Sequence, residues 1–353
     1  MHRAAITGWG RCTPDPVVTN DDLSTVMDTS DEWITARSGI KERRVCPVEN
    51  SDMATVAGSH ALAAAGLEPA DIDYLIVATC TPDRVIPANA CYVQAKLGTL
   101  NAAAVDINAG CTGFIYGLSM AQGLIATGIA SRILLIGSEK ISSYLDFEER
   151  STAVLFGDGA GAVVLERASG DEGVLSMTLG SDGHLSEALT ASGLGTSYVG
   201  SDAPIRIVMD GREVFRNAVV QMGESATLAV KDADLEFDDI DLLIPHQANE
   251  RIIDATARRI DLDESKVFMN IASYGNTSAA TIPIALSEAI EQGRVHPGAN
   301  LVLVAFGAGL TWGATVVRWG ERTKPLATSD AALPPTDRTG FEILLEQQAK
   351  KSA

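Results

Sequence analysis

Short apolar runs rich in β-branched residues alternate along the chain with longer segments whose apolar residues recur at helical spacing. In each half, a helical segment precedes a first apolar run, and an apolar helical segment separates that run from another. Apolar runs without a polar face are typical of strands that helices cover on both sides. The pattern therefore predicts an α/β fold with central strands buried on both faces.

The same unit occurs twice in the sequence. Residues 67–76 (LEPADIDYLI) are echoed by residues 235–244 (LEFDDIDLLI), and residues 132–137 (RILLIG) by residues 300–305 (NLVLVA). A repeated pattern of this kind indicates a duplicated structural unit. Two such units packed together predict a five-layered αβαβα domain. Aligning their first strands with a three-residue gap brings Cys111 opposite Asn276, each at the start of a helix.

Length and a change of character divide the chain into three parts. At 353 residues it exceeds the size at which a single core usually stops growing. We expect one half at residues 1–170, a second at residues 171–320 and an extension at residues 321–353. The extension has three prolines before residue 338 and a short helical segment at 341–346. We expect a loosely ordered tail, with packing on a dimer or a lineage-specific contact as the alternative.

Composition excludes several functions. The formal charge of −19 argues against general nucleic-acid binding. No apolar stretch is long enough to span a membrane, and the N-terminus is typical of a first strand rather than a signal peptide, so we expect a soluble, cytoplasmic protein. The five cysteines form no close pair and have no histidines at metal-ligand spacing, which argues against disulfides and zinc.

Three short runs supply candidate chemistry: NAGCTG around Cys111, IPHQANERI around His246 and YGNTSAA around Asn276. A cysteine at a helix start is close to free N–H groups and the positive end of the helix dipole, which favour the thiolate. Taken singly, these residues would also fit a buried structural cysteine, a core histidine and a helix N-cap. Together they supply a nucleophile, a base and an amide donor, the groups needed to hold an acyl thioester and form a carbon nucleophile beside it.

These runs, in this order and spacing, resemble the β-ketoacyl-acyl-carrier-protein synthase III family, the thiolase-fold condensing enzymes that start bacterial fatty acid synthesis. The resemblance covers residues 1–320 and includes TSDEWI at 29–34, RSGI at 37–40, FGDGAGA at 156–162 and FGAGLTWG at 306–313. The last two runs are rich in glycine, but predicted strands follow them, whereas a phosphate-binding loop needs a helix.

The resemblance implies a two-step reaction. Cys111 attacks an acyl-coenzyme A while the backbone amides of Cys111 and Ala308 hold the oxyanion. Malonyl-acyl-carrier protein then loses carbon dioxide, and His246 and Asn276 stabilise the enolate that attacks the acyl group. The family needs no metal or redox cofactor and works as a homodimer.

The resemblance also implies binding residues. The coenzyme A site would comprise Thr29, Trp33, Arg37, Arg150 and Arg212, with surface ion pairs for the arginines and a core position for Trp33 as the alternatives. The acyl pocket would comprise Phe306 and Ile86, the latter reaching across the dimer interface. An aliphatic residue at position 86 leaves more room than an aromatic one, so we expect branched or medium-length primers to be accepted.

A basic helix face follows His246. Arg251, Arg258 and Arg259 recur at seven- and eight-residue spacing and share one side of a predicted helix. The family's carrier protein is acidic, and steering depends on the local potential more than on net charge. We expect this face, with Gln247 and Asn249, to dock the carrier, and a solvated helix face is the alternative.

Three other functions compete with fatty acid initiation. A related condensing enzyme could prime polyketides or join longer acyl chains. A Cys-His-Asn hydrolase would release its acyl group to water, but the duplicated unit and the basic face disfavour it. A non-catalytic interaction protein is disfavoured because all three catalytic residue types are present.

Overall fold

The computed structural model describes residues 2–199 and 201–351, so the last two residues of the predicted extension lie outside it. In this part of the chain, thirteen strands form two large sheets and two small ribbons. The strands are β1 (Ala4–Cys12), β2 (Val17–Thr19), β3 (Glu42–Arg44), β4 (Tyr74–Ala78), β5 (Ala103–Ile107), β6 (Arg132–Lys140), β7 (Asp158–Arg167), β8 (Gly173–Ser181), β9 (Leu189–Ser192), β10 (Arg206–Met209), β11 (Leu242–Pro245), β12 (Asn300–Gly307) and β13 (Thr311–Arg318).

Eleven α-helices occur among the described residues, together with short 3₁₀ turns. The helices are α1 (Asn20–Ser24), α2 (Asp31–Ser38), α3 (Asn50–Ala65), α4 (Asn89–Leu97), α5 (Gly113–Ala126), α6 (Arg150–Ala153), α7 (Gly211–Asp232), α8 (Glu250–Arg259), α9 (Ile271–Tyr274), α10 (Thr281–Glu291) and α11 (Gly340–Lys351). Two of the 3₁₀ turns are used below, at Ile141–Tyr144 and Ser278–Ala280.

The two large sheets repeat one topology. The first has the strand order β1-β7-β6-β4-β5 and the second β8-β13-β12-β11. In the first sheet β4 is parallel to β6, and β6 is antiparallel to β7. In the second β11 is parallel to β12, and β12 is antiparallel to β13. The predicted duplication is confirmed, with β5 as an additional edge strand of the first sheet.

The layers follow from the apolar surfaces that these elements must bury. Helices α5 and α10 lie between the sheets, where Phe114, Leu118 and Leu286 share one core with residues of both sheets. Helix α3 covers the outer face of the first sheet, and helices α7 and α8 cover the second. The result is the five-layered αβαβα thiolase fold predicted from the repeat. None of the described helices is long and apolar enough to cross a membrane.

The central helices approach the sheets closely because glycines face them. A Cβ atom on Gly161 of β7 would lie 2.6 Å from the backbone nitrogen of Ile284 in α10, a distance at which atoms overlap. The glycine-rich runs at 156–162 and 306–313 are followed by strands β7 and β13, as predicted. The glycines in these runs allow close packing against the helices and turns of the backbone.

The extension differs from the predicted loose tail. Residues 326 and 327 donate backbone hydrogen bonds to the last turn of α3, and the chain then ends in the regular helix α11. The helical segment at 341–346 was predicted, but its burial was not. Ile343 and Leu344 are 3% and 1% exposed, because they complete an apolar cluster beside α2 and the turn at Ile141–Tyr144.

Candidate active site

One cavity of about 450 Å³ brings the three predicted catalytic side chains together. Cys111, His246 and Asn276 line its inner end, and Trp33 and Arg37 line it as well. Its wall is largely apolar and includes Val154, Leu189, Met209, Val214, Phe215, Met222 and Phe306. The arrangement is one largely apolar cavity in which the three side chains are accompanied by basic and aromatic groups.

Cys111 lies two residues before helix α5, beyond the N-cap residue Thr112. Burial raises the pKa of its thiol to about 12, although hydrogen bonds from Ser278 and from its own backbone N–H lower the pKa. The nearby Glu139 carboxyl raises it further. The expected thiolate is therefore not the resting form, because desolvation outweighs the stabilisation that the helix start supplies.

The backbone around Cys111 meets that of the second half of the chain. A Cβ atom on Gly110 would lie 3.0 Å from the backbone nitrogen of Ala308, and one on Gly307 would lie 2.7 Å from that of Cys111. At the same contact between the two halves, the Thr311 hydroxyl donates a hydrogen bond to the Thr112 hydroxyl at 3.1 Å. The amides of residues 111 and 308, predicted as the oxyanion hole, are thus neighbours, and only glycine fits at positions 110 and 307.

His246 follows β11, and its backbone N–H donates to Val304 of β12. Its Nδ1 lies 2.7 Å from the Thr281 hydroxyl. The same hydroxyl donates to the Ser278 carbonyl at 3.0 Å, so this side chain links the imidazole to the turn at Ser278–Ala280. Burial lowers the pKa of His246 to about 3, so the imidazole is neutral at physiological pH.

Asn276 is held by its backbone and by its side-chain oxygen. Its N–H donates to Leu155, its carbonyl accepts from Gly157, and its Oδ1 accepts from the Ser278 N–H at 2.8 Å. The side chain thus caps the following turn, as the alternative interpretation held. Because Oδ1 is occupied, the NH₂ group remains as a donor toward the cavity.

Helix α2 carries aromatic and basic groups that line the cavity. Ser30 caps its start by accepting from the Trp33 N–H, and Gly39 ends it with φ 77°. The guanidinium groups of Arg37 and Arg150 lie 4.4 and 4.7 Å from the centre of the Trp33 ring. These cation–π contacts place two positive charges next to a planar aromatic ring. The combination suits an anion that itself bears an aromatic ring.

The remaining predicted binding residues are distributed differently. Phe306 is buried and lines the cavity, whereas Thr29, Arg212 and Ile86 do not line it. Arg212 is exposed in the first turn of α7, next to the lining residue Gly211. Ile86 is 83% exposed, so within one chain it closes no pocket.

The structure corrects part of the predicted docking face, because some of its residues are buried or have partners within the protein. Arg251 is exposed at the cavity and lies 5.8 Å from the Phe215 ring, and Arg258 is exposed on the same helix. Arg259 pairs with Glu224 at 3.1 Å.

Two of the expected docking residues have structural partners instead. Asn249 caps α8 and donates to the Arg37 carbonyl. Gln247 cannot contact a partner protein, because it is 1% exposed and its amide bonds Pro245, Phe268 and Asn270.

Sequence reasoning missed a buried carboxyl group close to Cys111. Glu139 is fully buried, and its oxygens accept from Thr81 Oγ1 at 2.5 Å, Ser278 Oγ at 3.0 Å and the Cys80 N–H. Burial raises its pKa above the usual value. The signal was a lone acidic residue at the end of the apolar run 132–137. Among the described residues, no group of three or more His, Cys, Asp and Glu side chains is arranged to hold a metal ion.

Two family models match the chain. The model described as 3-oxoacyl-[acyl-carrier-protein (ACP)] synthase III matches residues 105–183, which contain Cys111. The model of the C-terminal part of the same synthase matches residues 230–319, which contain His246 and Asn276.

Similar proteins span nearly the whole chain. The β-ketoacyl-[acyl-carrier-protein] synthase III 2 of Vibrio vulnificus is 50% identical over 97% of this chain and 95% of its own length. The β-ketoacyl-[acyl-carrier-protein] synthase III of Geobacillus kaustophilus is 50% identical over 90% of this chain and 99% of its own length. The Vibrio alignment therefore includes most of the extension, whereas the Geobacillus relative leaves about a tenth of this chain unmatched.

Solved structures of similar enzymes also superpose on this chain. The 3-oxoacyl-[acyl-carrier-protein] synthase III of Aquifex aeolicus superposes with a TM-score of 0.85 at 46% identity and covers 90% of this chain and 100% of its own. The priming β-ketosynthase of the R1128 polyketide pathway superposes with a TM-score of 0.86 at 33% identity, covering 90% of this chain and 96% of its own.

Proposed function

The chain belongs to the β-ketoacyl-acyl-carrier-protein synthase III family, and on that premise we propose how its residues carry out the family's reaction. The protein is a condensing acyltransferase that joins an acyl-coenzyme A primer to malonyl-acyl-carrier protein and so initiates fatty acid synthesis. Cys111 is the nucleophile, and His246 with Asn276 forms the site of carbon–carbon bond formation. One observation carries this assignment: all three side chains line the same cavity.

In the first half-reaction the Cys111 sulfur attacks the thioester carbonyl of the primer. The oxyanion accepts hydrogen bonds from the backbone amides of Cys111 and Ala308. Collapse of this intermediate breaks the bond to the coenzyme A sulfur, and the proton lost by Cys111 ends on the departing thiol. Because the resting thiol is protonated, transfer of its proton accompanies attack and no net proton is exchanged with solvent.

In the second half-reaction the malonyl thioester oxygen accepts hydrogen bonds from His246 Nε2 and from the Asn276 NH₂ group. Loss of carbon dioxide leaves an enolate whose charge these donors stabilise. Its carbon attacks the acyl-Cys111 carbonyl, the thiolate leaves, and Cys111 takes up a proton. A neutral imidazole with its proton on Nε2 suits this role, because it donates without carrying a charge into the buried site.

Further features of the proposal rest on the same family. Trp33, Arg37 and Arg150 bind the nucleotide of coenzyme A, with Thr29 and Arg212 beside them. Arg251 and Arg258 form the docking surface for the carrier protein. The protein acts as a cytoplasmic homodimer in which Ile86 of one protomer closes the acyl pocket of its partner, and the two halves of the fold divide near residue 170.

Intact-mass measurement tests the nucleophile. The wild type, Cys111→Ala and Cys91→Ala are each exposed to acetyl-, isobutyryl-, hexanoyl- and decanoyl-coenzyme A. Cys91 is an exposed cysteine and controls for adventitious acylation. We expect the wild type and Cys91→Ala to gain one acyl group and Cys111→Ala to gain none. Addition of malonyl-carrier protein should remove the label as a β-ketoacyl product, whereas loss of the label to water alone would indicate a hydrolase.

Priming of a polyketide is the second candidate. The similarity to the R1128 priming ketosynthase and the aliphatic Ile86 favour it. Labelling mainly by hexanoyl or decanoyl groups would support a specialised pathway. Labelling by acetyl or short branched groups would support fatty acid initiation.

A further inference from the structure

The extension crosses the protein along a path fixed by hydrogen bonds. Arg322 donates to the Thr7 carbonyl at 2.7 Å, and the backbone N–H groups of Leu326 and Ala327 donate to the last turn of α3 at 3.1 Å. The His60 ring lies 2.9 Å from the Ala331 carbonyl. These contacts lead the chain from the end of β13 to the side of the molecule on which α2 lies.

Helix α11 begins there with a reciprocal cap. The Thr339 hydroxyl accepts from the Glu342 N–H, and the Glu342 carboxylate accepts from the Thr339 N–H at 2.8 Å. Gly340 lies against the Val17 carbonyl, where any side chain would overlap it. The start of the helix is therefore set against β2 at one orientation.

The buried face of α11 shares its core with the elements of the coenzyme A site. Ile343 and Leu344 belong to the same apolar cluster as Ile34 of α2 and Leu145, and Trp33 and Phe147 pack against that cluster. The loop residues Leu145 and Phe147 thus share an apolar cluster with both α11 and helix α2.

A hydrogen bond fixes the same loop. Gln348 Nε2 donates to the Leu145 carbonyl at 2.7 Å. Five residues further along the chain, the Arg150 guanidinium stacks 4.7 Å from the Trp33 ring and donates to the Asp28 carbonyl. A continuous set of contacts therefore runs from α11 to the arginine that faces the indole.

We propose that α11 positions Arg150 for the nucleotide of the primer by holding residues 145–149 against the body of the protein. The inference rests on the proposed function, since only there do Trp33 and Arg150 bind coenzyme A. The Geobacillus relative aligns with 90% of this chain and 99% of its own length. The extension contributes to primer affinity and takes no part in the chemistry at Cys111.

Two thioester donors separate positioning from general stability. Acyl-coenzyme A uses the nucleotide site, whereas the S-acyl-pantetheine of the same acyl group reaches Cys111 without a nucleotide. The variants are Gln348→Ala, which removes the bond to Leu145, and Leu344→Ala, which loosens the buried face of α11. Leu345→Ala is the matched control, because Leu345 is on the same helix and is 38% exposed.

We expect Gln348→Ala and Leu344→Ala to raise the KM for acyl-coenzyme A about tenfold, the scale of one ordered cation–π contact. Labelling of Cys111 by acyl-pantetheine should stay within about twofold of wild type, as should both donors with Leu345→Ala. Equal losses with both donors, or no loss with either, would overturn the proposal. If the wild type takes label from neither donor, it is the proposed function itself that fails.

Discussion

His246 should make the stability of the protein depend on pH between neutrality and mild acid. In the folded protein the imidazole is buried against Thr281 and its pKa is lowered to about 3. In the unfolded chain a histidine titrates near its ordinary value of about 6.5. The unfolded state therefore takes up a proton as the pH falls through this range, and the folded state does not.

The sign and size follow from linkage. Because the folded pKa is lowered, the contribution of His246 to stability is present above pH 6.5 and is lost progressively as the pH falls toward 3. At about pH 5, some 1.5 units below the unfolded pKa, the loss amounts to about 2 kcal/mol at 1.36 kcal/mol per unit. A glutamine at position 246 does not titrate and should remove this loss.

Urea unfolding at about pH 7.5 and about pH 5 measures the effect, at one protein concentration because dissociation of an oligomer would add a concentration term. We expect the wild type to lose about 2 kcal/mol more than His246→Gln between the two pH values. His184→Gln, at an exposed histidine, serves as the control and should behave as the wild type. If the wild type and His246→Gln lose the same free energy within about 0.5 kcal/mol, the buried neutral imidazole is refuted.

Three further outcomes are expected. Thr281→Val removes the hydroxyl that bonds His246 Nδ1 and should slow condensation about tenfold while Cys111 acylation is unchanged, whereas Thr281→Ser should keep the wild-type rate; equal slowing in both would contradict the role of this hydroxyl in positioning the imidazole. Arg251→Glu should raise the KM for malonyl-carrier protein about fivefold and leave acylation intact, and unchanged carrier kinetics would exclude the docking surface. Ile86→Phe should shift the primer preference toward acetyl groups, as competition between acyl-coenzyme A donors measures, and an unaltered chain-length profile would remove the acyl-pocket assignment.

The fold could be predicted from the sequence because its strands are apolar on both faces and its repeat is explicit. Strands β4 and β6 are almost entirely buried, as their composition indicates, and β11 and β12 repeat them in the second sheet. The three candidate catalytic residues, which line one cavity, could be proposed because each follows a strand or precedes a helix in a short, distinctive run. The family and its reaction are confirmed by the comparisons.

The rest depends on which groups become buried, and local sequence does not report this. The rise in the Cys111 pKa comes first from desolvation by burial and then from the Glu139 carboxyl, which lies 28 residues further along the chain. Gln247 looks like a surface residue beside His246, yet its amide replaces missing backbone bonds inside the protein. The order of the extension was missed because its apolar residues are few and their partners, such as Leu145, lie some 200 residues earlier.

The close backbone contact between Gly110 and Ala308 also has consequences for the origin of the fold and for fragments of the chain. In the proposed mechanism each half contributes one amide to the same oxyanion, so neither half of the duplicated unit holds both donors by itself. An ancestral single unit could have assembled such an oxyanion hole only by pairing with a second copy. On the same proposal, a fragment containing Cys111 would keep the attacking thiol and lose one of the two amides that stabilise the intermediate, so catalysis would report directly on whether the two halves are docked.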